Sequence, residues 1–419
     1  MPEGSWTISM RTYTSEDIEA LRAAMVNQIM SWQPLSAPVA AAMRTVPRHL
    51  FVPHVPVEQA YADDAVVTRR DADGVATSSA SAPWLVGRML DQLDVRAGMR
   101  VLEIGGGTGY NSALIAELVG PRGQVTTVEI APDVAADARV ALATAGISNV
   151  EVICGDGQHG HPPNAPYDRI IATAGVWEIP RAWADQLAAG GILVVPLRIN
   201  GITRSVAFTR DDGVWRSHSA VNCGFMPMRG DGAMPERNIR IAESIMVRID
   251  DGHDVDVEAL ARAAAGPGTV EWTGIHIDAS LDLLDFWLAD LDGFCRILAT
   301  STVVERGMAE PLHGWGSMGV ATTDALGYLT KRTSRDNPHV LELGVCAYGP
   351  AADPTVRELA ERVHRWARTR ASVTGVRIEV HPAGQGDTTG ALLTVDKRHS
   401  RIIVKPEVTG VQEPGPAPR

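Results

Sequence analysis

Cysteine is scarce in this sequence: Cys154, Cys223, Cys295 and Cys346 are the only four in 419 residues, and they lie far apart. No two form a C-x-x-C pair, so neither a disulfide framework nor a paired-thiol metal site is indicated. The opening "MPEGSWTISMRTYTSED" carries no secretory-leader pattern. Together these features point to a reducing, cytoplasmic setting. No apolar run approaches the roughly 20 residues that a membrane helix requires, so no membrane is expected as a partner. Positive charge is short as well, with 38 Lys and Arg against 50 Asp and Glu and a formal net charge of -12. That field repels a phosphate backbone, which argues against nucleic acid. There is no G-x-x-x-x-G-K-[ST] and hence no P-loop, and no internal repeat is visible.

What is present suffices for more than one core. Hydrophobic residues make up 45% of the chain, and at roughly 100–200 residues per domain two domains are expected. The first eighty residues read as helical pieces broken by prolines, opened by the amphipathic "TSEDIEALRAAMVNQIM" with acids at its start. From Met99 strand and helix alternate: "RVLEI", "NSALIAELVG", "GQVTTVEI", "APDVAADARVALATAG", "NVEVIC", "YDRIIATAG", "PRAWADQLAAGG" and "ILVVPL". Such alternation predicts an α/β fold with a parallel sheet covered by helices on both faces. Two more strands, "ITRSVAFTR" and "GVWRSHSAVNCGFMPM", are separated only by "DDG", so the sheet is expected to end in an antiparallel hairpin.

The predicted organisation follows from these shifts. Residues 1–80 form an N-terminal helical segment, 81–230 a Rossmann-like core, 231–240 a Gly-, Pro- and charge-rich linker, and 241–405 an accessory α+β domain. The last residues, 406–419, hold too little apolar content to pack and read as a disordered tail.

The stretch "MRVLEIGGGTGYNSALIAELVG" places a glycine turn between a strand and a helix, where backbone can approach a ligand closely. Gly105, Gly107 and Gly109 give G-x-G-x-G rather than the G-x-G-x-x-G of a pyrophosphate cradle. Glu103 stands in the strand just before the turn and suits a cationic ligand. Glu129 closes the next strand, the place where an acid grips ribose hydroxyls in nucleoside-binding βαβ units. A sugar-binding acid beside a turn with no pyrophosphate cradle points to S-adenosyl-L-methionine, with S-adenosyl-L-homocysteine as the product. In "CGDGQHG", Asp156 and Gly157 fall at the carboxyl edge of the next strand; Asp156 can accept from an adenine amine, or simply cap a turn. His159 and His161 lie near Cys154 without a second ligand pair, so no metal is expected.

Seven segments now carry a resemblance. "MRTVPRHLFVP", "TSSASAPWLVGRMLDQL", "RVLEIGGGTGYNSALIAEL", "GDGQHG", "APYDRIIATAG", "DQLAAGGILVVPL" and "FMPMRG" follow in the order found in protein-L-isoaspartate O-methyltransferases. The resemblance covers roughly residues 15 to 230 and implies a class I methyltransferase fold. By position it makes Glu103, Gly105, Gly107 and Gly109 the methionine and turn contacts, Glu129 the ribose contact, and Asp156 with Gly157 the adenine contact. It also implies an acceptor bearing an Asp or isoaspartyl carboxylate on a peptide or protein.

Two departures stand out. Where the family usually reads T-I-S-x-P, this chain reads Ser79-Ala80-Ser81-Ala82-Pro83. Ser81 keeps the serine that the resemblance places beside the transferring methyl and the acceptor carboxylate; helix capping is its plainer role, and the two can coexist. The other departure is the accessory domain. Extended members of this kind resemble methyltransferases that accompany ribosomally made, post-translationally modified peptides (lanthipeptide, lasso or graspetide), which esterify an ordinary aspartate of a cyclised precursor and yield a succinimide (aspartimide). An aspartyl carboxylate is ionised near neutral pH and needs no general base, so Thr77, Ser79 and Ser81 are expected to orient it. Arg48 in "VPRHLF" is a candidate contact for an acidic peptide, with an ion pair as the plainer reading. An isoaspartate repair enzyme with an accessory domain, and a scaffold that keeps the cofactor pocket without turnover, remain as alternatives. DNA or RNA base methylation is disfavoured, because "ATAGVW" stands where an N-P-P-Y motif would follow the fourth strand. Oligomeric state is not legible.

Overall fold

The computed structural model describes residues 13–72, 74–234, 237–250, 255–277, 281, 283–299, 308–312, 316–334 and 340–408. The chain divides into two compact units, Met1–Ala174 with Pro180–Val194, and Gly175–Ile179 with Val195–Arg419.

The first unit begins with α1 (Ser15–Trp32), whose start is fixed by a capping box: the Asp17 amide donates to Thr14 Oγ1 and the Thr14 amide donates to the Asp17 carboxylate. Then come α2 (Ala37–Thr45) and the single turn α3 (Val57–Ala60). The expectation of a purely helical first eighty residues fails at the next step. β1 (Val66–Arg70) and β2 (Ala76–Ala80) form an antiparallel hairpin, with Val66 opposite Ala80. The turn between them contains Asp71 and Gly74, and Gly74 takes the positive φ of 79° that such a turn favours. α4 (Pro83–Leu93) follows, burying Leu85, Val86, Met89, Leu90 and Leu93, and ends at Asp94 in the left-handed region.

The alternating segments build the parallel sheet. β3 (Arg100–Ile104), β4 (Gln124–Glu129), β5 (Val150–Cys154), β6 (Tyr167–Ala172) and the first part of β7 (Leu187–Ile199) lie in the order β7-β6-β3-β4-β5, all parallel. α5 (Tyr110–Val119), α6 (Pro132–Thr144) and the short α7 (Arg181–Gln186) make crossovers. β3 is buried from Val101 to Ile104 because both sheet faces are covered. Strand order runs outward in both directions from β3, so a topological switch lies between β3 and β6. The crevice at their carboxyl ends is where such sheets bind ligands.

In the second unit, β8 (Ile202–Asp211) and β9 (Val214–Asn222) form the expected hairpin through Asp212 and Gly213, both at positive φ. A seven-stranded antiparallel sheet comprises β10 (Arg237–Ala242), β11 (Ile245–Ile249), β12 (Gly268–Ile277), β13 (Phe294–Ala299), β14 (Ser317–Ala321), β15 (Leu326–Thr333) and β16 (Leu341–Tyr348), in the order β10-β11-β13-β14-β15-β16-β12. The expected linker therefore already contains part of β10. β17 (Val373–Pro382), β18 (Leu393–Asp396) and β19 (Ser400–Val408) follow, and helices at Val257–Ala264, Leu284–Leu288 and Ala352–Thr369 belong to the same unit.

The hairpin is not terminal, contrary to the sequence expectation. β17 pairs with β9, setting Val380 opposite Trp215, and β19 and β18 extend the sheet beyond it. Pro406 to Val408 belong to β19 rather than to a tail, and residues 409–419 lie outside the described residues.

Buried ion pairs tie β7 and β8 to β13 and to the segments beside it, the helix Leu284–Leu288 and the residue after β11. Arg204 pairs with Asp285 at 2.7 Å, Arg296 reaches the same carboxylate at 3.4 Å, and Arg198 pairs with Asp250 at 2.8 Å. No helix among the described residues is long and apolar enough to cross a membrane.

Candidate active site

The carboxyl ends of β3, β4 and β5 are held level by their register, with Ile104 opposite Val128 and Glu129 opposite Cys154. The glycine turn leaves β3 here. Gly105, Gly107 and Gly109 all adopt positive φ, of 92°, 51° and 86°, which a residue with a Cβ adopts only at a steric penalty. The turn is fastened to its neighbours: the Gly105 amide donates to Val128 O at 2.8 Å, and Thr173 Oγ1 donates to the carbonyls of Gly105 and Ile104.

Glu129 sits where the sequence placed it, at the end of β4 and nearly buried. Its Oε2 accepts from the Gly107 amide at 3.0 Å and its Oε1 from the Ala131 amide at 3.0 Å. The acid is thereby aimed across the mouth of the turn.

Glu103 differs from its expected role. Its side chain is 0% exposed, so no ligand can touch it as the chain stands. The carboxylate instead accepts from Asn111 Nδ2 at 2.8 Å, from Thr127 Oγ1 at 2.7 Å and from Ser112 Oγ. Burial pushes its pKa up, while the bonds from Ser112, Thr127 and Asn111 pull it down. Glu103 thus acts on the site through the start of α5, which it clamps to β3 and β4.

The sequence reading missed Gly106. A Cβ there would meet Thr127 Oγ1 at 2.6 Å, the hydroxyl that serves Glu103. Its requirement is close packing rather than an unusual φ, and the run G-G-G was the available signal. Gly157 is likewise buried, and a Cβ on it would collide with Ile104 Cγ2. Asp156 caps the short turn Gly157–His159 by accepting from the Gln158 amide at 2.9 Å, so the capping role is real at this position.

The hydroxyl residues expected to orient an acceptor lie on β2 and just after it. Ser78 and Ala80 point into the fold and are buried, whereas Thr77 and Ser79 are half-buried on the opposite face, and Ser81 continues that alternation. A Cβ built on Gly107 would lie 3.7 Å from Ser79 O, which places this strand against the glycine turn. Ser81 does not cap α4. The cap residue is Ala82, and the Trp84 amide is instead bonded by Asp63 Oδ1 at 2.8 Å.

Arg48 also departs from expectation. It is 0% exposed, so it does not meet a peptide at the surface, and among the described residues its hydrogen-bond partners are backbone carbonyls rather than a carboxylate. Its Nε donates to Ala60 O at 2.9 Å and its Nη2 to Ser81 O at 3.0 Å.

Cys154 is exposed on β5, Cys223 is half-buried, and Cys295 and Cys346 are buried. Burial pushes the Cys223 and Cys346 thiols up to about 12, which keeps them protonated and unreactive near neutral pH.

With this geometry in place, comparison with known proteins is direct. The family model of protein-L-isoaspartate(D-aspartate) O-methyltransferase matches residues 22–232, ending just before β10. Protein-L-isoaspartate O-methyltransferase 1 of Archaeoglobus fulgidus is 40% identical over 217 residues, which is 51% of this chain and 95% of the relative. The protein-L-isoaspartate O-methyltransferase of Methanopyrus kandleri is 40% identical over 200 residues, 47% of this chain and 86% of the relative. A solved protein-L-isoaspartate O-methyltransferase aligns over 93% of this chain and 99% of its own, at 21% identity and a TM-score of 0.49.

Proposed function

We propose, from the premise that this chain belongs to the protein-L-isoaspartate(D-aspartate) O-methyltransferase family, that it esterifies a side-chain aspartate of a constrained peptide, using S-adenosyl-L-methionine and releasing S-adenosyl-L-homocysteine. The observation that supports the reading is the placement of β2 against the glycine turn: the strand that bears Thr77 and Ser79 and leads to Ser81 meets Gly107 at the Ser79 carbonyl, and Gly107 in turn donates to Glu129.

The residues at the carboxyl edge fit a sulfonium nucleoside. Gly105, Gly107 and Gly109 leave backbone open to the amino-acid end, Glu129 faces the ribose hydroxyls, and Asp156 and Gly157 border the adenine. When bound, this cofactor supplies an electrophilic methyl group. The chain's own task is to hold a carboxylate in line with it and to exclude water. That carboxylate is already ionised near neutral pH, so no side chain has to remove a proton. Hydroxyl donors on Thr77, Ser79 and Ser81 orient one carboxylate oxygen and leave the other to attack.

The ester has a better leaving group than the acid. The next backbone nitrogen attacks its carbonyl, a five-membered imide closes, and methanol leaves. This later step takes place within the peptide.

Support for the narrower acceptor comes from the sequence Ser79-Ala80-Ser81 in place of the usual Thr-Ile-Ser, and from a second unit whose seven-stranded sheet lies beyond the matched family segment. The names of the relatives favour a second reading, repair of isoaspartyl residues. Incubating the full chain with a synthetic isoaspartyl peptide and, separately, with a cyclised Asp-containing precursor separates the two. Gain of a methyl followed by loss of methanol on the precursor supports the proposal; turnover of the isoaspartyl peptide alone supports repair. Cofactor binding with no ester on either would leave a scaffold.

A further inference from the structure

Among the described residues, Arg48 is a buried cation with no carboxylate within hydrogen-bond reach. It lies in the short turn Arg48–Phe51 and is 0% exposed. Its partners come from three separate segments. Nε donates to Ala60 O at 2.9 Å; Nη2 donates to Ser81 O at 3.0 Å and reaches Asp64 O at 3.5 Å. The guanidinium carbon lies 4.9 Å from the centre of the Tyr110 ring. Tyr110 opens α5, the helix that follows Gly109, and its neighbours Asn111 and Ser112 hold Glu103.

Burial lowers the Arg48 pKa, and Tyr110, Asp63 and Tyr61 oppose that shift. A guanidinium nevertheless stays charged in proteins. A charge this deep is costly unless fixed dipoles and a π face meet it; here two well-formed carbonyl bonds and one ring do so for Nε, Nη2 and the guanidinium face, while Nη1 has no hydrogen-bond partner among the described residues. The planar fork matters, because one group reaches acceptors in divergent directions, which an ammonium on a flexible stem does not reproduce. Among the described residues, the backbone of Ser81 and the first residue of α5 are joined by this one side chain.

We infer that Arg48 is a positioning residue that sets the spacing between the acceptor strand and the glycine turn; the inference rests on the methyltransferase reading above. Neither substrate touches it. Its effect should therefore fall on the turnover of correctly bound reactants, since a displacement of about 1 Å between reacting groups lowers rate by up to roughly a hundredfold.

The test compares full-length wild type with Arg48→Lys, Arg48→Met and Tyr110→Leu. Cofactor affinity is read by calorimetry, kcat and KM on the peptide that the wild type methylates, and folding by thermal denaturation. The expected result is a kcat reduced about tenfold to a hundredfold in Arg48→Met, with a smaller loss in Tyr110→Leu and cofactor affinity close to wild type. Arg48→Lys, which keeps the charge and loses the fork, should also lose turnover, and it decides the matter if Arg48→Met does not fold. An alkylguanidinium should restore more turnover to Arg48→Met than an alkylammonium of the same chain. Wild-type kcat in a folded Arg48→Lys, or loss of cofactor binding in step with kcat, overturns the inference. Absence of any methyl ester with the wild type itself overturns the functional reading, and this inference with it.

Discussion

The amide of Gly107 donates to the carboxylate of Glu129 at 3.0 Å, so the turn after β3 and the acid at the end of β4 form one hydrogen-bonded unit. Each carboxylate oxygen already serves one backbone amide, and a ribose hydroxyl would be a further donor to the same group. Glu129→Gln turns one oxygen into an NH2 that faces a backbone N–H. One charge-assisted bond is lost, worth about 1.5–3 kcal/mol. Cofactor affinity measured by calorimetry should fall by roughly tenfold or more, and thermal stability should fall as well, because the lost bond is one the folded chain makes without the cofactor.

Glu103 should act chiefly on stability. Two of its three donors, Ser112 and Thr127, are buried with it and have no water to turn to, whereas Asn111 is half-buried. Glu103→Ala strands the buried hydroxyls of Ser112 and Thr127 and should destabilise the first unit by about 2–6 kcal/mol in denaturant unfolding, on a scale of about 1–3 kcal/mol for each of the two unsatisfied buried groups. Equal stability of variant and wild type would contradict the clamp.

These two acids show how far the sequence could be read. Both carboxylates were placed on the right strands, because β3, α5 and β4 are local elements with clear periodicity and a glycine turn between them. Which way each side chain faces depends on partners from α5 and β4, and no spacing in "RVLEI" records that Glu103 meets Ser112 and Thr127. The hairpin β1–β2 escaped notice because "VVTRR" and "ATSSA" are short and polar, with little hydrophobic alternation. The pairing of β17 with β9 joins segments on either side of the whole seven-stranded sheet, a contact that local pattern cannot reveal. Arg48 read as a surface charge because its neutral acceptors are backbone carbonyls, which leave no mark in a sequence.

The second unit should be sensitive to Asp285. Two arginines converge on it, Arg204 at 2.7 Å and Arg296 at 3.4 Å, all with little exposure. Asp285→Ala leaves two buried cations facing each other and should cost about 3–5 kcal/mol, the usual penalty for removing one partner of a buried ion pair. Replacing Arg204 and Asp285 together by apolar residues should cost less than Asp285→Ala alone, which a double-mutant cycle measures.

Lys397 should give the unit a pH signature. Its ammonium donates to the carbonyls of Trp177 and Arg198 and lies 3.5 Å from the centre of the Trp177 ring. Burial pulls it down to about 7, against the attraction of Asp250 and Glu178 and with the repulsion of Arg198. Unfolded, a lysine titrates near ~10.4. Between these two values the unfolded chain binds a proton that the folded one lacks, so this group's contribution to stability rises with pH. Below pH 7 the folded chain bears the full penalty of the buried charge. Urea unfolding of wild type and Lys397→Met should show the difference shifting in favour of wild type as pH rises through this window; a constant difference would contradict the assignment.

The central claim is that methyl from S-adenosyl-L-methionine reaches a peptidyl carboxylate. It is tested most directly by incubating the full-length protein with methyl-labelled cofactor and Asp- or isoaspartyl-containing peptides, then adding mild base. The expected result is volatile labelled methanol from at least one peptide, abolished when that carboxylate is replaced by an amide. Intact, cofactor-bound protein that releases no base-labile methanol from any of them would contradict the account.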